Sequence, residues 1–108
     1  MDSMHLVMEA KSRMLSKLAT RTDLQELAQT LGISYSKFRI LFKTHTGYSP
    51  REYENLIKLN RSRDLLQSGD YSVSSTAEAL GYSSVYYFSR AFKKQFGMSP
   101  RKWIYQSK

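Results

Sequence analysis

The chain has 108 residues, with 17 Lys and Arg against 9 Asp and Glu, for a formal charge of +8. A chain of this length buries one modest core or two small ones, and the basic excess favours an anionic partner, either nucleic acid or an acidic membrane surface. It has no Cys, which excludes disulfides and thiol chemistry and suits a reducing cytosol, and it has no run of about 18 apolar residues that could span a membrane.

The N-terminus lacks a basic segment leading into a long apolar stretch, so no secretory signal is expected. Met4, Val7, Met8, Met14, Leu15 and Leu18 recur at spacings of three and four, which predicts a first helix from near Ser3 to Ala19 with this stripe as its packing face. A helix lying in a membrane surface is the alternative; Asp2 and Glu9 weaken it by diluting the basic face. Asp23 caps a helix from Leu24 to Leu31, with Glu26 completing a capping box and Gly32 ending it. Ser34 caps the next helix, Tyr35 to Thr46, which Gly47 stops. Both prolines follow a serine, a pattern that starts helices, and Ser49 with Glu52 forms a second capping box. A long helix therefore runs from Pro50 to Ser68 and ends at Gly69. Its apolar residues Tyr53, Leu56, Ile57, Leu59, Leu65 and Leu66 cover more than one face. Ser72 or a neighbour caps Val73 to Leu80, Gly81 turns the chain, Ser83 or Ser84 caps a helix to Phe96, and a short last helix begins at Pro100 and carries Trp103.

The chain repeats itself. Leu31-Gly32, Phe38, Phe42, Gly47 and Ser49-Pro50-Arg51 return as Leu80-Gly81, Phe88, Phe92, Gly97 and Ser99-Pro100-Arg101. Gly81 follows Gly32 by 49 residues, whereas Phe88 follows Phe38 by 50, so one residue has been added in the turn. Two such copies around a long helical segment predict an all-α protein of about seven helices, with two helix-turn-helix subdomains joined by a long linker helix. The expected boundaries are 1–49 for the first subdomain with its preceding helix, 50–69 for the linker and 70–108 for the second subdomain.

On a wheel of 3.6 residues per turn, Phe38, Leu41 and Phe42 share one face, as do Phe88, Ala91 and Phe92; these are core positions. The opposite faces carry Ser36, Ile40 and Lys43, flanked by Lys37, Arg39 and Thr44, and in the second copy Tyr86, Arg90 and Lys93, flanked by Tyr87, Ser89 and Lys94, with Val85 in the first turn. A DNA major groove admits one helix, whose first turns reach base edges, and Lys43, Thr44, Lys93 and Lys94 lie further along, where phosphates would be met. Two solvated amphipathic helices would also look basic. Against that, Ile40 and the Tyr86-Tyr87 pair interrupt faces that water alone would leave polar.

The second copy resembles the signature of the AraC/XylS family of bacterial transcription regulators. The resemblance covers Asp23 to Trp103 and rests on Gly81-Tyr82, Tyr87-Phe88-Ser89-Arg90, Phe92-Lys93-Lys94 and Phe96-Gly97-Met98-Ser99-Pro100 at the family's spacing. It implies that the second helix of each subdomain enters the major groove on one face of the duplex. Base reading would then fall to Ser36, Lys37, Arg39 and Ile40 in the first copy, and to Val85, Tyr86, Ser89 and Arg90 in the second. The linker departs from the family pattern, with Lys58 and Ser62 where Arg and Ala are usual, and Ser62 is expected to loosen packing between the subdomains. The family's effector-sensing domain has no counterpart here, so a fragment or a short regulator is expected. Double-stranded DNA is the expected partner and RNA polymerase a second one. The isolated domain is expected to be monomeric, cytoplasmic, and at the nucleoid when bound.

An enzyme is the first rival. The two histidines, His5 and His45, fall in different subdomains, and no phosphate loop, metal-ligand spacing or nucleophile elbow is present, so no catalytic residue, metal or cofactor is expected. His45 at a helix C-terminus reads as a surface residue favoured by the dipole. The second rival is a helical protein-interaction module with a basic, Tyr-rich surface. RNA recognition favours aromatics on a sheet or a dedicated fold, and neither is legible.

Overall fold

A computed structural model describes residues 2–107, and its regular structure is helical throughout. In chain order the helices are α1 (Ser3–Leu15), α2 (Leu24–Thr30), α3 (Tyr35–Thr46), α4 (Pro50–Ser68), α5 (Val73–Ala79), α6 (Val85–Phe96) and α7 (Pro100–Ser107). Chain contacts divide into two units, one of Met1–Lys17 and Arg21–Leu56, the other of Leu18–Thr20 and Ile57–Lys108. The long helix α4 therefore contributes to both.

The helix starts follow from local capping chemistry. Side chains of Asp2, Asp23, Ser34, Ser72 and Ser84 each accept a hydrogen bond from the backbone amide three residues on, which satisfies a donor that a helix N-terminus otherwise leaves unpaired. Ser49 and Glu52 form the reciprocal box at α4, with bonds of 2.9 and 3.2 Å. The expected return bond from Glu26 to the Asp23 amide is not made among the described residues. The box instead appears at α5, where Ser72 and Ser75 bond each other's amides at 2.8 and 3.0 Å. α3 and α6 have the same length of 12 residues, and both end at a left-handed glycine, Gly47 or Gly97.

Two expectations for α1 need correction. The helix stops at Leu15, short of Ala19, because the Ser16 hydroxyl bonds the Arg13 carbonyl at 2.8 Å and Lys17 N–H reaches back to Met14 in a tighter turn. Its packing face is Val7, Ala10 and Met14; Met4, Met8 and Leu15 are exposed. A spacing pattern finds an apolar stripe, but the buried arc is set by what α1 packs on, which is α3.

In the first unit α1 and α2 both pack on α3. Phe38 and Phe42 are fully buried with ring centroids 5.7 Å apart, and Tyr53 of α4 meets Phe42 edge-on at 5.3 Å. The second unit gathers Leu59, Leu66, Ala77, Phe88 and Phe92 into one cluster, closed by Tyr82, Phe96, Trp103 and Ile104. Phe92 lies 5.8 Å from Phe88, 4.6 Å from Phe96 and 6.0 Å from Trp103, all edge-on, the arrangement that aromatic quadrupoles prefer.

Sequence patterning did not reveal that α4 buries polar residues. Glu54, Lys58 and Ser62, spaced by four, are 2 %, 6 % and 0 % exposed. The Ser62 hydroxyl bonds the Leu59 carbonyl at 2.5 Å, so the family departure at this position is buried and satisfied. The Glu54 carboxylate accepts from the Thr22 amide at 2.8 Å and from the Arg51 guanidinium at 2.6 Å. Burial pushes its pKa up, but the bonds from Thr22 and Arg51 outweigh burial and hold it below the ordinary glutamate value.

Candidate nucleic-acid interface

Each unit presents one 12-residue helix whose inner edge is locked by a buried phenylalanine pair. The cap at Ser34 stands four residues before Phe38, and the cap at Ser84 four before Phe88, so the two helices are anchored in the same register. Whatever lies opposite those rings must face outward, because a helix turns about 100° per residue.

The twelve residues expected at the interface fall as follows. In α3, Ser36, Lys37, Arg39, Ile40, Lys43 and Thr44 are all exposed, Ile40 at 67 %. In α6, Val85, Tyr86, Arg90, Lys93 and Lys94 are exposed, whereas Ser89 is half-buried on the flank. Each helix thus brings its own set onto one outward surface. The Thr44 hydroxyl is already committed, donating to the Ile40 carbonyl at 2.7 Å, so only its lone pairs and methyl face outward. Arg90, Lys93 and Lys94 line a shallow hollow with Ala91. Lys43 and His45 close the last turn of α3, and Lys93 and Lys94 that of α6, where the lysine cations also suit the helix dipole.

Two side-chain pairs stand out on these surfaces. The Arg90 guanidinium lies 5.6 Å from the centroid of the Tyr86 ring and makes a long hydrogen bond of 3.4 Å to its hydroxyl. The Arg39 guanidinium lies 5.7 Å from the Tyr35 ring. Tyr35 was not among the expected site residues. The signal that finds it is the Tyr-to-Arg spacing of four, which makes neighbours on a helix.

Paired, similarly built helix-turn-helix units with basic outward helices define a class, that of DNA-binding domains. The comparisons with known proteins agree. A family model described as a helix-turn-helix domain matches residues 27–106. The chain is 34% identical over 100 residues to the MmsAB operon regulatory protein of Pseudomonas aeruginosa, which covers 93% of this chain and 31% of that protein. It is 33% identical over 91 residues to the raffinose operon transcriptional regulatory protein RafR of Pediococcus pentosaceus, covering 84% of this chain and 33% of that one. The chain thus spans about a third of the length of these curated relatives. Among solved structures, a transcriptional regulator with an AraC-type DNA-binding domain from Chromobacterium violaceum superposes with a TM-score of 0.89 at 31% identity, covering 96% of this chain and 93% of that one. The DNA-binding domain of AdpA, solved with a target DNA, superposes with a TM-score of 0.86 at 26% identity, covering 93% and 90%.

The chain belongs to the AraC-type helix-turn-helix family of DNA-binding transcription regulators. No helix among the described residues is long and apolar enough to cross a membrane.

Proposed function

We propose that this chain is the sequence-reading part of a bacterial transcription regulator, with α3 and α6 as recognition helices in consecutive major-groove segments of one duplex. The observation that carries the reading is the repeated build of α3 and α6: same length, same cap, same buried pair, and an outward face of Arg, Lys, Tyr and Ile. A free-standing surface has no need of Ile40 and Tyr86 at 67 % and 62 % exposure, but a groove lined by thymine methyls and base edges does.

In this reading Ser36, Lys37, Arg39 and Ile40, and Val85, Tyr86, Ser89 and Arg90, face base pairs. Lys43, Lys93 and Lys94 meet phosphates directly, and Thr44 joins them once its hydroxyl turns from the Ile40 carbonyl to a phosphate; such contacts set register rather than sequence. Residues 1–49, 50–69 and 70–108 act as first subdomain, linker and second subdomain. One chain carries both reading helices, so it binds as a monomer, works in the cytoplasm at the nucleoid, and passes its effect to RNA polymerase without catalysing a reaction. The experiment is a titration of duplex DNA at graded salt. For about 6–10 phosphate contacts the affinity falls by about 10³–10⁵ between 50 and 200 mM salt. A nearly flat plot of log affinity against log salt would sink the DNA reading and favour the Tyr-rich surface as a protein-binding module.

A further inference from the structure

We propose that Tyr35 and Tyr86 are positioning residues that hold Arg39 and Arg90 in two different attitudes, so that Arg90 reads a base edge while Arg39 grips a backbone phosphate. This rests on the groove reading above and divides its residues by role, moving Arg39 out of the base-reading set and having Tyr86 act through Arg90.

The two helices carry the same pair of residues in different phase. Both helices carry a Tyr with an Arg four residues on, the ring and guanidinium lying 5.7 Å apart in α3 and 5.6 Å apart in α6. The pairs do not occupy equivalent positions. Tyr35 follows its cap Ser34 directly, whereas Tyr86 is second after Ser84. Because Phe38 and Phe88 stand at the same distance from their caps, one residue of offset turns the Tyr–Arg pair by about 100° about the helix axis relative to the core. Arg39 is next to Phe38 and lies on the flank; Arg90 is two beyond Phe88 and lies on the crest.

Both arginines are exposed, and the residues around them follow the same division. Tyr35 is half-buried, while Tyr86 is 62 % exposed. The α6 residue equivalent to Arg39 is Ser89, half-buried; the α3 residue equivalent to Arg90 is Ile40, 67 % exposed. A helix with its side chains is about 10–12 Å across and the major groove about 12 Å wide, so a docked helix fills it. The crest then faces base edges and the flank faces the sugar–phosphate wall. A guanidinium held beside a ring by cation–π attraction still has most of its donors to offer, and holding it there in advance reduces the freedom lost on binding. The Tyr86 hydroxyl additionally engages one guanidinium nitrogen at 3.4 Å and leaves the others for a base.

The test is selection from a random duplex pool, followed by salt titrations on the selected site, for wild type, Tyr86→Leu, Tyr86→Phe, Arg90→Ala, Tyr35→Leu, Arg39→Ala, Arg39→Lys and the Tyr–Arg double variants. Tyr86→Leu should lower preference at a single base position by about two- to fivefold, the size of an exposed cation–π contact, and Tyr86→Phe should restore most of it. In an Arg90→Ala background Tyr86→Leu should add nothing, since coupled residues are non-additive. Arg39→Ala should weaken all sequences alike and lower the salt slope by about 1. Tyr35→Leu should weaken all sequences about two- to fivefold and add nothing on Arg39→Ala. If Tyr35→Leu lowers the melting temperature, Arg39→Lys, which keeps the charge and loses the planar fork of donors, should show the same uniform loss. Additive effects of Tyr86→Leu and Arg90→Ala, or a changed base preference in Arg39→Ala, would overturn the proposal while leaving DNA binding intact. Failure of the wild-type chain to select any site would overturn the groove reading and the positioning with it.

Discussion

Gly81 is packed against the backbone of Ala19: a β-carbon at Gly81 would lie 2.8 Å from the Ala19 carbonyl carbon and closer still to its oxygen. The segment Leu18–Thr20, between α1 and α2 in the chain, thereby belongs to the second unit and lies on the turn of its helix-turn-helix. Gly32, the same position in the first copy, shares the left-handed backbone, with φ of 78° against 77°, but has open space around it. Gly32→Ala should therefore cost only the left-handed strain of about 1–2 kcal/mol. Gly81→Ala should cost more, because backbone has to move, and should expose residues 18–20 to limited proteolysis. Equal shifts of the two variants in urea unfolding would show that the contact carries no weight.

Fold and ligand binding should separate at neighbouring residues of α6. Phe88 is fully buried and Arg90 exposed. Phe88→Ala should destabilise the domain by about 3–5 kcal/mol. Arg90→Ala should leave the melting curve nearly unchanged and weaken binding to duplex DNA. Calorimetry beside a gel-shift titration checks both, and an unfolded Arg90→Ala would mean that its side chain is structural.

Acid should loosen the first unit through Glu54. Its folded pKa lies below the ordinary value, so the ionised carboxylate contributes stability above the unfolded pKa, and that contribution is lost as pH falls below about 4.5 and through the lowered folded value. Glu54→Ala strands the Thr22 amide and should cost about 1–3 kcal/mol at pH 7. Glu54→Gln should flatten the decline of stability on acidification. An unchanged pH profile in Glu54→Gln would assign acid sensitivity to other carboxylates.

The bound site should be asymmetric. Ile40 has no donor and should meet a thymine methyl, whereas Arg90 in the equivalent place can take a guanine with about 1–3 kcal/mol of discrimination. Ile40→Ala should relax preference in one segment of the selected site only, and changes at Tyr86 or Arg90 in the other. A perfect palindrome occupied by two chains, each with one helix in a groove, would contradict this.

Among the described residues the helix order, and the starts and stops of α3, α4 and α6, were legible because each depends on neighbours in the chain: Ser34 and Ser84 cap whatever follows them, and the Ser-Pro pairs start helices through their own geometry, whereas the end of α1 was not. The repeat of Phe38/Phe42 as Phe88/Phe92 likewise disclosed both cores and both outward faces, since a period of 3.6 divides a helix into inside and outside.

Tertiary structure alone decided the rest. It chose Val7, Ala10 and Met14 over Met4, Met8 and Leu15 as the buried arc of α1, because several apolar arcs were available and only the partner helix selects one. It buried Glu54, Lys58 and Ser62, which composition would place in water, and it supplied for Glu54 a backbone donor from Thr22, 32 residues away in the chain. It laid Leu18–Thr20 on the turn at Gly81. Contacts between residues distant in sequence leave no periodic trace, so a residue's type records its own preference and not the partner that overrides it.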